Sequence, residues 1–63
     1  MKIGDTVYTI NAKTNTIDDW ILDGFINTPE EPFCQLTKGS KFCALPKRCV
    51  FKDKDQALKV LSK

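Results

Sequence analysis

Residues 16–27 read Thr-Ile-Asp-Asp-Trp-Ile-Leu-Asp-Gly-Phe-Ile-Asn, and they form the longest apolar-rich stretch of the chain. Apolar and acidic residues occur at both parities, so neither face of a regular strand would be cleanly polar. This pattern predicts a strand that is either buried on both sides or kinked so that its faces exchange roles. Asp23 and Gly24, in the middle, favour a bulge or a sharp bend. Because small barrels turn corners with long bent strands, the segment favours a barrel over a flat sheet.

Shorter strands are predicted around this segment, at residues 6–10, 33–37 and 42–45. Residues 6–10 are β-branched or aromatic throughout, which is typical of strands. The predicted connections are a hairpin loop at residues 11–15, a proline-containing loop at residues 27–32 and a turn at residues 38–41. Gly39 can supply a positive φ in that turn. Residues 46–51 are expected to form a short turn or a last short strand.

A helix is predicted over residues 54–62. Asp53 followed by Gln56 is a capping-box pattern, in which the Asp53 carboxylate accepts from the amide of residue 56 and Gln56 reaches back to residue 53. Ala57, Leu58 and Leu61 form an apolar stripe at helical spacing, and we expect this stripe to close the barrel. Leu58→Asp is therefore expected to unfold the protein.

The predicted fold class is mainly β, with four or five short antiparallel strands and one short C-terminal helix in 63 residues. This content suggests a small open barrel of the SH3-like or OB-like kind. The chain is short for a full OB-fold, so a single SH3-like barrel domain over residues 1–63 is preferred.

The opening Lys2 to Ile10 resembles the start of many short SH3-like β-barrel proteins from bacteria and phages. Those proteins also tend to end with a Val-Phe pair and a capped helix that carries Ala and Leu, as residues 50–61 do here. The family often has Tyr where this chain has Cys34. The resemblance implies a fold and does not imply an activity. The high Lys, Asn, Thr and Ile content suggests a low-GC bacterial or phage source.

Composition predicts a cytoplasmic protein that starts at its own Met1, because the N-terminus lacks the apolar core of a signal peptide and no apolar run is long enough for a membrane span. Three cysteines without an export signal argue for reduced thiols. Cys34 and Cys43 are interpreted as small core residues on strands. Cys49 follows Lys47 and Arg48, which would favour a reactive thiolate if it is exposed. The cysteine spacings do not match a zinc site, and the chain has no His.

Charge divides the chain into two halves. Residues 14–37 carry five acids and no Lys or Arg, whereas residues 38–54 carry six basic residues against Asp53 alone. The folded domain could have one acidic and one basic face. The alternative, which we prefer, is that the halves pair across the sheet and largely neutralise each other.

Two candidate binding surfaces follow from this division. The favoured one combines acids and aromatics, which suit a basic partner segment through charge and cation–π contact; it comprises Tyr8, Asp18, Asp19, Trp20 and Asp23. The competing interpretation places Trp20 in the core. The second surface combines basic residues and an aromatic, as in proteins that bind single-stranded nucleic acid; it comprises Lys38, Lys41, Phe42, Lys47 and Arg48.

Enzymatic activity is not expected, because the chain has no His, no Gly-rich phosphate loop and no activated-serine motif. No cofactor or metal is predicted. We expect a non-enzymatic module that binds a macromolecule, most readily a protein, with single-stranded nucleic acid or RNA as the alternative. Since small phage proteins often block a host protein, inhibition of a host defence protein is one form of this expectation.

Overall fold

The strands form an antiparallel meander in which each strand pairs with the next one along the chain. The computed structural model describes residues 1–62. Its elements are β1 (Thr6–Asn11), β2 (Thr16–Asn27), β3 (Pro32–Lys38), β4 (Lys41–Pro46), a 3₁₀ turn (Lys47–Cys49) and α1 (Lys54–Leu61). The strand order is β1-β2-β3-β4. The predicted fold class is confirmed for these residues: the chain is mainly β, with four antiparallel strands in an open sheet and a C-terminal helix.

Strand β2 contains the predicted bulge. Leu22 pairs with Leu36 and Gly24 pairs with Gln35, so Asp23 is an extra residue without an opposite partner. One extra residue exchanges the two faces of the strand beyond it. The β2 side chains assigned to the core face by this register are Asp18 and Trp20, then Leu22, and beyond the bulge Phe25, which is 43% exposed at the margin of the sheet. Of the two interpretations of this segment, the kinked strand whose faces exchange roles is therefore confirmed.

A two-residue turn joins β3 to β4. Lys38 pairs with Lys41, and the intervening Gly39 has a φ of 62°. Ser40 is not among the residues with positive φ. A positive φ at the first central residue alone is the type II′ arrangement, whose twist matches that of the flanking strands. The predicted role of Gly39 is thus confirmed.

The hydrophobic core lies on one face of the sheet. Its buried members are Val7, Leu22, Cys34, Leu36 and Val50, and the partly buried Trp20, Cys43 and Leu45 pack against them. The Trp20 indole Nε1–H donates to Oγ1 of the buried Thr9 at 2.9 Å. This bond satisfies the polar end of the Trp20 ring while its apolar part contacts the core. Trp20 is therefore a core-side residue, as one of the two interpretations held.

The segment that follows the 3₁₀ turn returns to the edge of β1. Tyr8 and Phe51 exchange two backbone hydrogen bonds, of 2.8 and 2.9 Å. Phe51 forms an isolated bridge rather than a fifth strand. The preceding Val50 is buried in the core. The return segment thus occupies part of one edge of the sheet, while β4 forms the other edge.

Helix α1 begins after Asp53 as predicted, but the predicted capping box is wrong. Asp53 has the extended backbone of an N-cap residue, with φ −121° and ψ 137°, and its carbonyl accepts from the Ala57 N–H at 3.4 Å. Its carboxylate makes no capping hydrogen bond. Asp53 and Gln56 are both exposed, so water can satisfy the first N–H groups of the helix in place of the side chains.

The helix packs on the outside of the sheet and does not close the core. Ala57 is fully buried, whereas Leu58 is 45% exposed. Lys54 borders a small pocket together with three strand residues, which are Tyr8, Ile17 and Asp19. By the β1–β2 register these three lie on the face opposite Val7. The prediction that Leu58 closes the barrel is therefore wrong, because the helix reaches the sheet from the other side and uses Ala57 as its buried residue.

Within residues 1–62 there is no helix with the length and apolar character needed to cross a membrane. Helix α1 has eight residues, and a span needs about 20.

Candidate binding surface

The sheet face opposite the core carries a continuous set of uncharged side chains on β2, β3 and β4. Residues directly opposite each other in an antiparallel pair share a face, so the register defines three rows across these strands. The rows are Ile21, Thr37 and Phe42; then Gly24, Gln35 and Ala44; then Ile26, Phe33 and Pro46. We call these nine positions the uncovered sheet face. None of the nine carries a charge.

Helix α1 covers a different part of the same face. It packs against β1 and β2, near Tyr8 and Ile17, which are half-buried. On the uncovered sheet face, by contrast, Phe42 is 78% exposed, Ile21 is 44% exposed and Ile26 is 38% exposed. The difference follows from the length of the helix, since eight residues at about 1.5 Å each extend about 12 Å.

A groove follows β3 and β4, and four positions of the uncovered sheet face contribute to its lining. It has a volume of about 320 Å³ and is lined by Asp23, Gln35, Leu36, Thr37, Phe42, Cys43 and Ala44. The bulge in β2 brings Asp23 into this lining. The volume lies at the lower end of the range for ligand pockets. The groove is therefore suited to a few side chains of a partner.

The acidic-aromatic residues predicted as a binding surface do not share one face. Tyr8 and Asp19 are directly opposite each other beside α1, while Asp18 and Trp20 belong to the core side. Asp23 alone of the five lines the groove described above. The separation arises because adjacent residues on a strand point to opposite faces.

The basic residues predicted for nucleic-acid binding lie at the two ends of β4. Lys38 and Lys41 flank the turn next to Phe42, whereas Lys47 and Arg48 belong to the 3₁₀ turn. The six residue steps from Lys41 to Lys47 separate these groups by about 20 Å. The structure thus gives two small basic groups rather than one basic face.

Two of these basic residues form ion pairs with the acidic half of the chain. Lys38 Nζ lies 3.0 Å from Asp19 Oδ1, and Arg48 Nη1 lies 3.5 Å from Glu31 Oε2. The hydrogen bond from Lys38 lowers the pKa of the Asp19 carboxyl below its usual value, and Lys54 contributes an additional attraction. The preferred interpretation, that the two halves neutralise each other across the fold, is confirmed for these two pairs.

The three cysteines are free and differ in burial: Cys34 is buried, Cys43 half-buried and Cys49 exposed. Removal from water raises the pKa of the Cys34 and Cys43 thiols, because burial disfavours a thiolate. The prediction of core cysteines on strands is confirmed for Cys34, and Cys43 packs against the core from its edge. No group of three or more His, Cys, Asp or Glu residues that could hold a metal ion occurs within the described chain.

The uncovered sheet face was not predicted as a surface. The sequence predicts Phe42 as the aromatic member of the basic surface, and it predicts neither Ile26 nor Phe33 on the same face as Phe42. Ile26 reaches this face only because the extra residue at the bulge reverses the parity of β2. The sequence signal for the bulge was present at Asp23 and Gly24, and applying it to the parity of residues 25–27 would have identified the row.

Comparisons with protein-family models, with curated proteins and with solved structures gave no significant match to this chain. The resemblance to short SH3-like bacterial and phage proteins therefore stays a prediction.

Proposed function

We propose that this chain is a non-enzymatic module that binds a partner protein through the uncovered sheet face. The observation that carries the proposal is the continuity of nine uncharged positions around Phe42, whose ring is 78% exposed. Six of the nine positions are apolar and are spread over all three rows, with Gly24, Gln35 and Thr37 between them. Single exposed apolar residues are common on proteins, but a cluster of them on one face is typical of an interaction site.

The surroundings of this face match the anatomy of a protein interface. Interfaces have a core that is poor in charge and rich in aromatic residues, and a polar rim that stays in contact with water. Here the face is bordered by Asp23 at the bulge, by the Lys38–Asp19 pair at one end and by the Arg48–Glu31 pair at the other. Aromatic side chains in such positions carry a large share of binding energy, which makes Phe42 the expected anchor.

The size of the face sets a condition on the partner. Three strands about 4.8 Å apart and three rows about 7 Å apart give a patch of about 10 by 14 Å between its outermost Cα atoms. A standard interface buries about 800 Å² on each partner, roughly one sixth of the 4625 Å² surface of this chain. The partner must therefore also contact the charged rim or the edge of the sheet.

Binding to single-stranded nucleic acid is the second candidate. The exposed Phe42 ring lies beside Lys38 and Lys41, and such a pairing of aromatic and cation supports base stacking with phosphate contact. Two features favour the protein partner instead. Lys38 is already paired with Asp19, and Asp23 places a negative charge in the groove that also contains Phe42.

Inhibition of a host defence protein remains a specific form of the proposal. It rests on the expected phage source and on a surface that carries charges of both signs. Acidic groups on this surface could occupy the nucleic-acid-binding site of a host protein. This form of the proposal specifies the class of partner protein, and the binding surface is still the uncovered sheet face.

The test uses capture of proteins from nuclease-treated lysate of the native host, with Phe42→Ser and Leu58→Ser as matched variants. Both residues are exposed and apolar, but Leu58 lies on α1, away from the uncovered sheet face. We expect a protein that binds the wild-type chain and the Leu58→Ser variant at similar levels, and that is lost from the Phe42→Ser variant.

A gel-shift with single-stranded oligonucleotides at low and high salt distinguishes nucleic-acid binding, the second candidate, from binding to a protein. Nucleic-acid binding would weaken steeply with salt, because phosphate contacts release counterions. A salt-sensitive shift that disappears in Phe42→Ser, with no protein captured, would replace the proposed function by the second candidate. Equal loss of the captured protein in both variants would also contradict it, since the uncovered sheet face would then have no special role.

A further inference from the structure

The free edge of β4 presents backbone hydrogen-bonding groups in a defined order. In a hairpin with a two-residue turn, the pair that closes the turn, here Lys38 and Lys41, exchanges both backbone hydrogen bonds. Hydrogen-bonded and non-hydrogen-bonded pairs then alternate along the strands. The Phe42–Thr37 and Ala44–Gln35 pairs are therefore of the second kind, and Phe42 and Ala44 direct their N–H and C=O groups away from β3.

This edge has no neighbouring strand within residues 1–62, unlike the edge of β1. Tyr8 on β1 exchanges hydrogen bonds with Phe51, whereas β4 pairs with β3 alone. The side chains of Phe42 and Ala44 line the groove next to the same edge. A strand added to β4 would thus gain backbone hydrogen bonds from two residues and side-chain contacts with those same two residues.

The charges at the two ends of β4 indicate what such a strand should carry. Lys41 lies at the beginning of β4 and Lys47 directly follows its end. Neither forms an ion pair with a residue of the described chain, whereas Lys38 and Arg48 are paired with Asp19 and Glu31. An extended segment with an acidic residue near each of its ends would match both lysines.

A second copy of this chain is disfavoured at the same edge. If two β4 strands paired antiparallel about their centres, Lys41 of one copy would lie close to Pro46 and Lys47 of the other, at both ends of the pair. Like charges would repel, and Pro46 has no N–H to donate. Lysine and proline at an edge are devices that prevent self-association, and here they leave the middle of the strand open to a different partner.

We propose that an extended segment of a partner protein, with acidic residues at both ends, adds to β4 as a fifth strand of the sheet. The inference deepens the proposed function and rests on it, because the added strand supplies the contact area that the uncovered sheet face lacks. Backbone hydrogen bonds along the edge would provide affinity, and the groove beside Phe42 would select the central side chains. These should be uncharged or hydrogen-bonding rather than acidic, since Asp23 lines the same groove.

The probe is a synthetic peptide of about nine residues, long enough to pass both ends of β4, with acids at each end and alternating Val and Thr between them. In the free protein, the Phe42 and Ala44 amides should exchange with solvent faster than those of Cys43 and Leu45, which donate to β3. Bound peptide should slow exchange at Phe42 and Ala44 and leave the amides of β1 unchanged. Binding should weaken as salt is raised.

Two matched changes test the backbone contacts. A peptide of the same sequence, N-methylated along one edge, should bind about 10-fold more weakly, since a few hydrogen bonds are lost while the side chains stay the same. On the protein, Ala44→Pro removes one outward N–H, and Ala44→Thr keeps it. The proline variant should lose peptide binding and the threonine variant should retain it. If Ala44→Pro does not fold, the N-methylated peptide decides alone.

Several outcomes would overturn the inference. Equal binding of the N-methylated peptide, or of a peptide with lysines at its ends, would show that the edge and its charges are not used. A concentration-dependent dimer that protects the Phe42 and Ala44 amides would assign the edge to a second copy. If Ala44→Pro still captures the partner that Phe42→Ser loses, strand addition fails while the proposed function stands. If Phe42→Ser retains that partner, the proposed function fails first.

Discussion

The outer face of the sheet, which lies opposite the core, has two regions that differ in burial, although β2 passes through both. In the first region, Tyr8 and Ile17 are half-buried beside α1. In the second, Phe42 and Ile21 have no element of the described chain over them and stay exposed. Both regions contain large apolar side chains. Residue type therefore does not decide which region is buried. The length of α1 decides it, because the helix covers the first region and ends before the second. We expect the first region to determine stability and the second to determine binding.

Substitutions in α1 should show the largest effect on stability. Ala57 is fully buried in the first region, whereas Leu58, one residue further, is 45% exposed. Ala57→Asp would bury a carboxylate without a partner and should cost about 3 kcal/mol or more of unfolding free energy. Leu58→Asp should cost less than about 1 kcal/mol, because its side chain can remain in water. Urea denaturation of both variants measures the difference.

A reversed order of the two destabilisations would show that α1 packs differently. If Leu58→Asp unfolded the protein and Ala57→Asp did not, the helix would pack through Leu58, as the sequence alone suggested, and the first region would not be covered in the way described.

Two aromatic residues, one in each region, should show effects of intermediate size on the free energy of unfolding. Tyr8 lies on β1 next to α1, and Phe42 lies on β4 in the uncovered sheet face. Tyr8→Ser should cost about 1–3 kcal/mol through loss of buried apolar area. Phe42→Ser should change the unfolding free energy by less than about 0.5 kcal/mol, since the ring is mostly in water already. Thermal unfolding of the two variants, side by side, gives the measurement; equal destabilisation would mean that Phe42 serves the fold.

Local chemistry in the sequence predicted the elements of this fold well. β-Branched and aromatic runs gave the strands, Gly39 gave the turn, and the bulge at Asp23 and Gly24 followed from two residues that disfavour a regular strand. The side of the sheet on which α1 lies could not be predicted from the sequence. The sequence pattern places one apolar stripe on the helix, formed by Ala57, Leu58 and Leu61. The path of residues 50–53 around the edge of β1 decides which of these side chains contacts the sheet.

The candidate surface was less predictable for a related reason. Asp18, Asp19 and Trp20 are adjacent in the chain, but a strand separates neighbours onto opposite faces, and Trp20 contacts the core. Phe42, Ile21 and Ile26 are distant in sequence and meet because three strands pair in register, with the parity of one reversed at its bulge. Such a surface depends on pairings across the whole sheet, which no single stretch of sequence contains.

The smallest expected effect concerns the ion pair that joins the two regions. Asp19 borders the pocket beside α1, and Lys38 belongs to the turn next to Phe42. The hydrogen bond from Lys38 holds the pKa of Asp19 below its ordinary value of 3.8. Because the folded-state pKa is the lower one, the stabilisation is complete above that ordinary value and is lost as the pH falls through the folded-state pKa. Both side chains are exposed, so the effect on stability should be slight and screened by salt.

Lys38→Met should therefore raise the pKa of Asp19 toward 3.8, which an NMR titration of its carboxyl carbon can follow. The return should be incomplete, because a backbone hydrogen bond at Asp19 and, to a smaller extent, Lys54 also favour the ionised carboxylate and lower its pKa. Lys41→Met is the matched control, since Lys41 lies across the same turn without an ion pair to a residue of the described chain. An unchanged Asp19 pKa in Lys38→Met would mean that this pair does not form in solution, and that the turn beside Phe42 is held by its backbone hydrogen bonds alone.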